Sequence, residues 1–145
     1  MTYLLDVNVL VALIDPNHVG HDAAHHWFES IGARAWATCP ITENGVVRIV
    51  GNVKYPSTPG SPAEVARIIG QMRQLPGHSF WADDISLLAD ERVDETQLLT
   101  SAQVTDTYLL ALAVAHDGKL ATFDRRLSPR AVSGGKAALH LIGHQ

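Results

Sequence analysis

A chain of 145 residues is the size of one domain with a substantial hydrophobic core, and it is too short for two such domains. Its composition, 46% hydrophobic and 18% charged, is typical of a globular protein and excludes a disordered one. A formal net charge of -4 excludes a protein that coats nucleic acid through its overall charge, although a local basic patch is compatible with it.

Short apolar runs alternate with stretches of helical periodicity in the first third of the chain. The first apolar run ends at Asp6, and Pro40 is well suited to the first turn of a helix. The pattern predicts strands over 3–5 and 35–38, and helices over 7–13, 18–30 and 40 to about 50.

Residues 51–62 contain several prolines and glycines, which exclude a helix or a central strand and predict a loop. Further on, a helix over 102–116 is apolar on nearly every face between Tyr108 and Ala115. This is expected of a core helix, or of one that also forms a dimer contact. The remaining pattern predicts a helix over 62–75, short helix and loop over 84–99, and strands over 78–82, 120–123 and 139–142.

Strands that are separated by helices imply right-handed crossovers and parallel pairing. The sequence therefore predicts a three-layer α/β fold, in which a parallel sheet of about five strands is flanked by helices. A single domain is expected over 1–145.

The cellular compartment is predicted from the lone cysteine and the hydropathy. Cys39 is the only cysteine, which excludes an intrachain disulfide and a cysteine-rich metal site and favours a reducing, cytoplasmic setting. No apolar run reaches the roughly 20 residues that a membrane-spanning helix needs. We therefore expect a soluble protein without a membrane partner.

Four acidic residues lie where an apolar segment gives way to a turn or to the start of a helix. In a parallel sheet, residues after the C-terminal ends of the strands converge on one edge, where open α/β folds keep their chemistry. Each acid also has an ordinary alternative role, since acids cap helices, favour the positive end of a helix dipole and shape turns. The four residues are Asp6, Glu43, Asp106 and Asp124.

The neighbours of these acids form an ordered set of motifs. They are Asp6-Val7-Asn8, Thr42-Glu43-Asn44 followed by Arg48, Thr105-Asp106, and Thr122-Phe123-Asp124. In order and spacing the set resembles the PIN-domain nucleases. The compact length and the Thr-Phe-Asp-Arg-Arg stretch at 122–126 look like the VapC toxins of type II toxin–antitoxin modules. The resemblance covers residues 3 to about 142.

The resemblance implies a PIN-like fold and an endoribonuclease that inhibits translation and growth. It implies that all four acids are catalytic and bind a metal ion, and that Asn8 and the hydroxyls of Thr105 and Thr122 support them. It also implies an RNA substrate, a cognate VapB-like antitoxin that covers the acidic groove, and a cytoplasmic homodimer.

Clustered carboxylates repel one another, and without a cation at least one is expected to keep its proton to an unusually high pH. Ligand sets made only of oxygen select a hard cation, so Mg²⁺ or Mn²⁺ is favoured over zinc. A metal-bound water then becomes the nucleophile, and the metal offsets the charge that builds on the phosphate. We therefore predict metal-dependent phosphodiester hydrolysis.

Arginines near the acids are candidates for phosphate contacts. Arg125, Arg126 and Arg130 follow Asp124, although a solvated basic turn explains them equally well. Arg48 is a candidate too, but a hydrogen bond to Asn44 on the same helix competes with a substrate contact.

Four histidines between residues 18 and 26 have helical spacing compatible with a metal site. Exposed surface histidines are the preferred interpretation, since no Glu completes a zinc-protease motif.

Two other functions are alternatives to a nuclease. A PIN-like binding or scaffolding module without catalysis is disfavoured by the intact acids. A Mg²⁺-dependent phosphatase of the haloacid dehalogenase type also opens with an acidic motif after its first strand. That motif fails here, because its second Asp corresponds to Asn8 and its Thr to Leu10.

Overall fold

Five short strands form one sheet in which every neighbouring pair runs parallel. The computed structural model describes residues 1–143. The strands are β1 (Tyr3–Leu5), β2 (Trp36–Thr38), β3 (His78–Phe80), β4 (Lys119–Thr122) and β5 (Leu139–Leu141). Their spatial order is β3-β2-β1-β4-β5, so β1 lies at the centre. The predicted α/β fold with a five-stranded parallel sheet is confirmed.

Helices connect the strands and cover both faces of the sheet. They are α1 (Val7–Ile14), α2 (His21–Ser30), α3 (Pro40–Val50), α4 (Pro62–Met72), α5 (Gln103–Ala115) and α6 (Gly135–Ala138). Short 3₁₀ turns occur at Gly32–Arg34 and Glu95–Gln97. Compared with the prediction, α2 begins three residues later, β3 ends at Phe80, and α6 is an element that the sequence pattern did not indicate.

Alternating strand residues point to two separate cores, as the two-residue period of a strand requires. Leu5 and Ala121 pack with α1, α2, α3 and α4 on one face of the sheet. Leu4 and Leu120 pack on the other face against α5, where residues 109–113 are 0% exposed. The apolar character of α5 is therefore explained by burial within this chain. Within residues 1–143, no helix is long and apolar enough to cross a membrane.

A turn at residues 116 and 117 ends α5. Its left-handed residue is Asp117, with φ of 54°, and not Gly118. Position 118 requires glycine for a steric reason, because a Cβ atom there would lie only 2.6 Å from the backbone oxygen of Thr2. The turn thus brings the chain close to the start of β1, directly before β4 pairs with it.

Candidate active site

Asp6 lies at the C-terminal end of the central strand and is 6% exposed. It is the N-cap of α1, and its Oδ1 accepts a hydrogen bond from the Val7 backbone N–H at 2.7 Å. Its Oδ2 accepts a second bond from the Thr122 hydroxyl at 2.8 Å. Asp6 therefore does cap α1, but only through Oδ1. Its Oδ2 is bound to a residue of the neighbouring strand β4.

Asn8 and Thr122 extend this network to the end of β4. The Asn8 side-chain amide donates to Thr122 Oγ1 at 3.1 Å, and its oxygen accepts from the Phe123 N–H at 3.3 Å. The Asp124 backbone N–H also donates to Thr122 Oγ1, at 3.1 Å. These contacts fix Asp124 beside Asp6. Thr105, predicted to support the acids, is exposed.

Asp106 lies in the first turn of α5 and completes a cluster with Asp6 and Asp124. Burial, with repulsion from Asp6 and Asp124, raises the pKa of Asp106 to about 6. Burial also raises the pKa of Asp6, with a smaller contribution from Asp124, against the opposing hydrogen bonds from Thr122 and Val7. Asp106 and Asp124 line a cavity of about 300 Å³ together with Arg126. Asp6, Asp106 and Asp124 thus lie near enough to one another for their charges to repel.

Glu43 lies in the first turn of α3, one strand away from this cluster. Its Oε2 accepts a 2.6 Å hydrogen bond from the Thr38 hydroxyl at the end of β2. The same oxygen is 3.5 Å from Nε of Arg73, which caps the C-terminus of α4. The contacts of Glu43 therefore point toward β3 and α4, and not toward the three aspartates.

The Thr38 hydroxyl also lies 2.7 Å from Nε2 of His78 on the neighbouring strand. Because its single hydrogen is donated to Glu43, Nε2 of His78 has to donate to Thr38. Burial and the Arg73 charge lower the pKa of His78, while Glu43 opposes this shift. A neutral His78 with its proton on Nε2 therefore holds Thr38 in place, and Thr38 holds Glu43.

Replacing Thr38 with Val is expected to lower the free energy of unfolding by about 1 kcal/mol. The methyl group fills the same space, but Glu43 and His78 each lose a hydrogen-bond partner. Urea unfolding measures the change. Thr105→Val makes the same substitution at an exposed site and is expected to change stability by less than about 0.5 kcal/mol. Equal stability of the Thr38→Val variant and the wild type would contradict the inferred network.

The donor chemistry of the aspartate cluster fits a hard divalent cation. Asp6, Asp106 and Asp124 offer only carboxylate oxygens. Burial, with a smaller contribution from neighbouring negative charge, raises the pKa of Asp6 and of Asp106, and a cation would offset both effects. In the described part of the chain, no three His, Cys, Asp or Glu side chains lie close enough together to hold a metal ion on their own. Mg²⁺ keeps several of its waters, so it does not require a closed cage of protein ligands.

The candidate arginines occupy different surroundings. Arg125, Arg126 and Arg130 are exposed, and the Arg126 backbone N–H donates to Asp124 Oδ1 at 2.9 Å. Arg48 is exposed on α3, and within residues 1–143 its side chain has no hydrogen bond to Asn44. The competing internal contact that the sequence allowed is thus not formed.

Two of the histidines near α2, His21 and His25, are half-buried and structural, whereas the sequence analysis favoured exposed ones; His26 is exposed as predicted. A ring nitrogen of His21 lies 2.7 Å from the carbonyl oxygen of Ala12, and one of His25 lies 2.8 Å from that of Leu13. The last carbonyls of a helix lack partners inside the helix, and these rings satisfy two of them. The two histidines therefore tie α2 to the C-terminal end of α1.

Sequence reasoning missed Thr38, His78 and Arg73. Thr38 ends a predicted strand, so the strand-end rule that selected Asp6 applies to it as well. His78 and Arg73 carry no comparable signal, because their role depends on which strand lies beside β2 and on how α4 packs.

The chain is similar to known proteins over most of its length. The family model of the PIN domain matches residues 3–132. The chain is 45% identical over 134 residues to ribonuclease VapC44 of Mycobacterium tuberculosis, across 92% of this chain and 94% of that protein. It is 44% identical over 134 residues to ribonuclease VapC39 of the same organism, across 92% and 96%. The crystal structure of VapBC2 from Rickettsia felis, bound to a DNA fragment from their promoter, aligns with a TM-score of 0.58 over 100% of both chains. Its 13% identity supports a shared fold alone.

Proposed function

The chain belongs to the PIN-domain family, and we propose that it is a Mg²⁺-dependent endoribonuclease, the toxin of a VapBC-type toxin–antitoxin system. The observation that carries the proposal is the cluster of Asp6, Asp106 and Asp124 at one sheet edge, where burial and then mutual repulsion raise the pKa of Asp106 to about 6. Relatives that are 45% and 44% identical over nearly their whole length bear the name ribonuclease.

The chain supplies the ligands, their orientation and a place for the phosphate. Mg²⁺ or Mn²⁺, when bound, activates a water and offsets charge on the phosphate. Asp6, Asp106 and Asp124 would hold the cation. Thr122, fixed by Asn8, orients the Asp6 carboxylate through its hydroxyl.

Phosphate binding is assigned to the cavity beside the aspartates. Arg126 lines that cavity with Asp106 and Asp124, so its guanidinium is placed to contact an RNA phosphate near the scissile bond. Arg125 is exposed next to it in the chain and adds positive charge.

Glu43 joins the site from the β2 side of the same sheet edge. We propose that it serves the reaction as the fourth acid, held by Thr38 at 2.6 Å. Its separate anchoring distinguishes it from the three aspartates, which interact with one another.

The proposed partners follow from the family. They are an RNA substrate, a VapB-like antitoxin and a second copy of the chain. Relatives that are 45% and 44% identical bear the name VapC, which supports the antitoxin. A cytoplasmic location is proposed as well, supported by the single, buried free cysteine.

The function is tested by incubating purified toxin, free of antitoxin, with RNA in the presence of chelator. We expect cleavage to stop and to return on addition of Mg²⁺ or Mn²⁺, because the aspartate cluster needs a cation. Mapping of RNA ends after brief expression identifies the target. Cleavage that persists in chelator, or hydrolysis of a generic phosphomonoester in place of RNA, would overturn the proposal.

A further inference from the structure

A groove between α3 and α4 opens beside Glu43, on the opposite side of it from the aspartate cluster. The groove encloses about 600 Å³, and its floor is apolar, formed by side chains such as Val47 and Ile69. Its charged lining consists of Glu43, Arg48 and Arg73. Cations therefore outnumber anions in this groove, although the whole chain carries a net charge of -4.

Arg73 is held in this groove from two sides. Its Nε is 3.5 Å from Oε2 of Glu43, and its guanidinium carbon lies 5.0 Å from the centre of the Phe80 ring. A guanidinium over an aromatic face is a favourable cation–π contact that limits the freedom of the side chain. Arg73 is thus a pre-oriented cation at the C-terminal end of α4.

Most of the hydrogen-bonding capacity of Arg73 is unused. The guanidinium has five N–H donors, and within residues 1–143 only the Nε edge meets an acid. The side chain is 40% exposed and lines the groove, and among the described residues its two NH₂ groups have no further partner. A planar pair of donors in this arrangement matches two oxygens of a phosphate.

A purely structural role explains Arg73 less well. An ion pair with this exposure contributes only about 0–1 kcal/mol to stability. Glu43 already has a stronger partner in the Thr38 hydroxyl at 2.6 Å. A second exposed arginine, Arg48, lines the same groove. An ion pair with Glu43 does not explain why it lies there.

We propose that Arg73, with Arg48, binds a backbone phosphate of single-stranded RNA in the α3–α4 groove, next to the cleavage site. This inference rests on the proposed function. Positive charge selects a polyanion, and the apolar floor accepts the sugar and base faces of an unpaired nucleotide. Phe80, which is 47% exposed at the end of β3, orients Arg73 from behind.

The first test replaces Arg73 with Gln and measures the affinity for a short fluorescent single-stranded RNA by anisotropy, in chelator. We expect affinity to fall by about tenfold or more, as for the loss of one hydrogen bond to a charged group. The slope of log K against log salt should become shallower by about 0.7, the value for one phosphate contact on a single strand. Arg73→Lys should keep the slope and recover part of the affinity.

Arg67→Gln is the matched control for Arg73→Gln. Arg67 is also an exposed arginine of α4, it pairs with Glu64 at 3.3 Å, and it does not line the groove. Equal RNA affinity and salt slope for the Arg67→Gln and Arg73→Gln variants would overturn the inference.

A second test leaves the Glu43–Arg73 pair intact. A Cβ atom at Gly70, which lines the groove, would meet nothing within 4 Å, so larger side chains fit there without distorting the helix. Gly70→Glu adds a negative charge and should weaken RNA binding several-fold more than the similarly sized Gly70→Gln. Equal effects of the two variants would indicate an uncharged occupant, such as an apolar protein segment, and would overturn the inference.

The two proposals fail in different ways. If the wild type does not cleave RNA, but binds it more tightly than Arg73→Gln does, the nuclease function is refuted and the proposed binding site is retained. Wild-type protein that cleaves RNA with metal, while Arg73→Gln behaves as Arg67→Gln, would refute the binding site alone.

Discussion

Replacing Asp6 with Asn is expected to reduce the rate of RNA cleavage by at least about 100-fold. Asp6 is the most buried acid of the cluster, at 6% exposed, and it is fixed by two hydrogen bonds. The amide has no charge to offset a cation and only one oxygen. Loss of the metal-binding charge therefore removes the central ligand, while the size of the side chain stays the same.

The fold should survive this substitution. The Asn oxygen can still accept the Val7 N–H and so preserve the cap of α1. Removal of one charge also relieves the repulsion from Asp124, which offsets the weaker contact with Thr122. We expect the metal-free variant to unfold at a temperature close to that of the wild type.

Metal-dependent stabilisation separates a lost ligand from a damaged fold. A cation that binds only the native state raises its stability by RT ln(1 + [L]/Kd). Thermal unfolding with and without Mn²⁺ should therefore show a large upward shift for the wild type and a small one for the Asp6→Asn variant. Asp22→Asn, at an exposed position in the first turn of α2, is the control and should behave as the wild type.

A preparation of the Asp6→Asn variant that cleaves RNA at the wild-type rate would refute the assignment of Asp6. Contaminating ribonuclease is recognised by adding chelator to both samples. Residual cleavage that is equal in the two chelated samples does not come from the site.

The aspartate cluster was accessible to sequence reasoning because it depends on a rule of parallel sheets. Asp6 and Asp124 follow neighbouring central strands, so their convergence requires only the strand order and direction. The interaction of Asp106 with both follows from the packing of α5 on the same strands. The positions of the strands and of α5 can both be predicted from the pattern of apolar residues.

Glu43 shows where the sequence is insufficient. Its partners come from β2, β3 and α4, and the contact of Thr38 with His78 joins residues that are 40 positions apart. Which strand lies beside β2, and where the last turn of α4 ends, are set by packing over the whole domain. The same reason explains His21 and His25, since their carbonyl partners depend on how α2 docks against α1.

The catalytic roles of the acids, the metal and a single domain over 1–145 stay predictions. Residues 144 and 145 of that domain lie outside the described part of the chain. Asn8 and Thr122 lie where the supporting role requires, in contact with Asp6 and Asp124, whereas exposed Thr105 is less well placed.

Metal-free protein is expected to gain stability on replacement of Asp106 with Asn, by about 1–2 kcal/mol at neutral pH after allowance for solvent screening. The pKa of Asp106 rises from 3.8 in its ordinary state to about 6 in the fold, through burial and repulsion from Asp6 and Asp124. Ionisation of this carboxyl is therefore less favourable in the native state than in the unfolded chain, and at neutral pH this difference lowers the stability of the native state. The neutral amide removes that cost.

The sign of the pH dependence follows from proton counts. Between about pH 4 and pH 6 the native state holds the Asp106 proton while the unfolded state has released it, so this group makes stability fall as pH rises. His78 and His140 act in the opposite direction, because burial lowers the pKa of both. The total pH profile of the wild type is thus a mixture of opposing contributions.

The difference between the Asp106→Asn variant and the wild type isolates the contribution of Asp106. Urea unfolding in chelator should give a stability difference that is smallest near pH 4 and grows in favour of the variant up to about pH 7. Mg²⁺ or Mn²⁺ should shrink this difference, because a cation at the cluster stabilises the ionised wild-type carboxylate and has one ligand fewer in the variant. A difference that stays flat from pH 4 to pH 7 in chelator would show that Asp106 is not held against its neighbours. The charged cluster on which the nuclease proposal depends would then be absent.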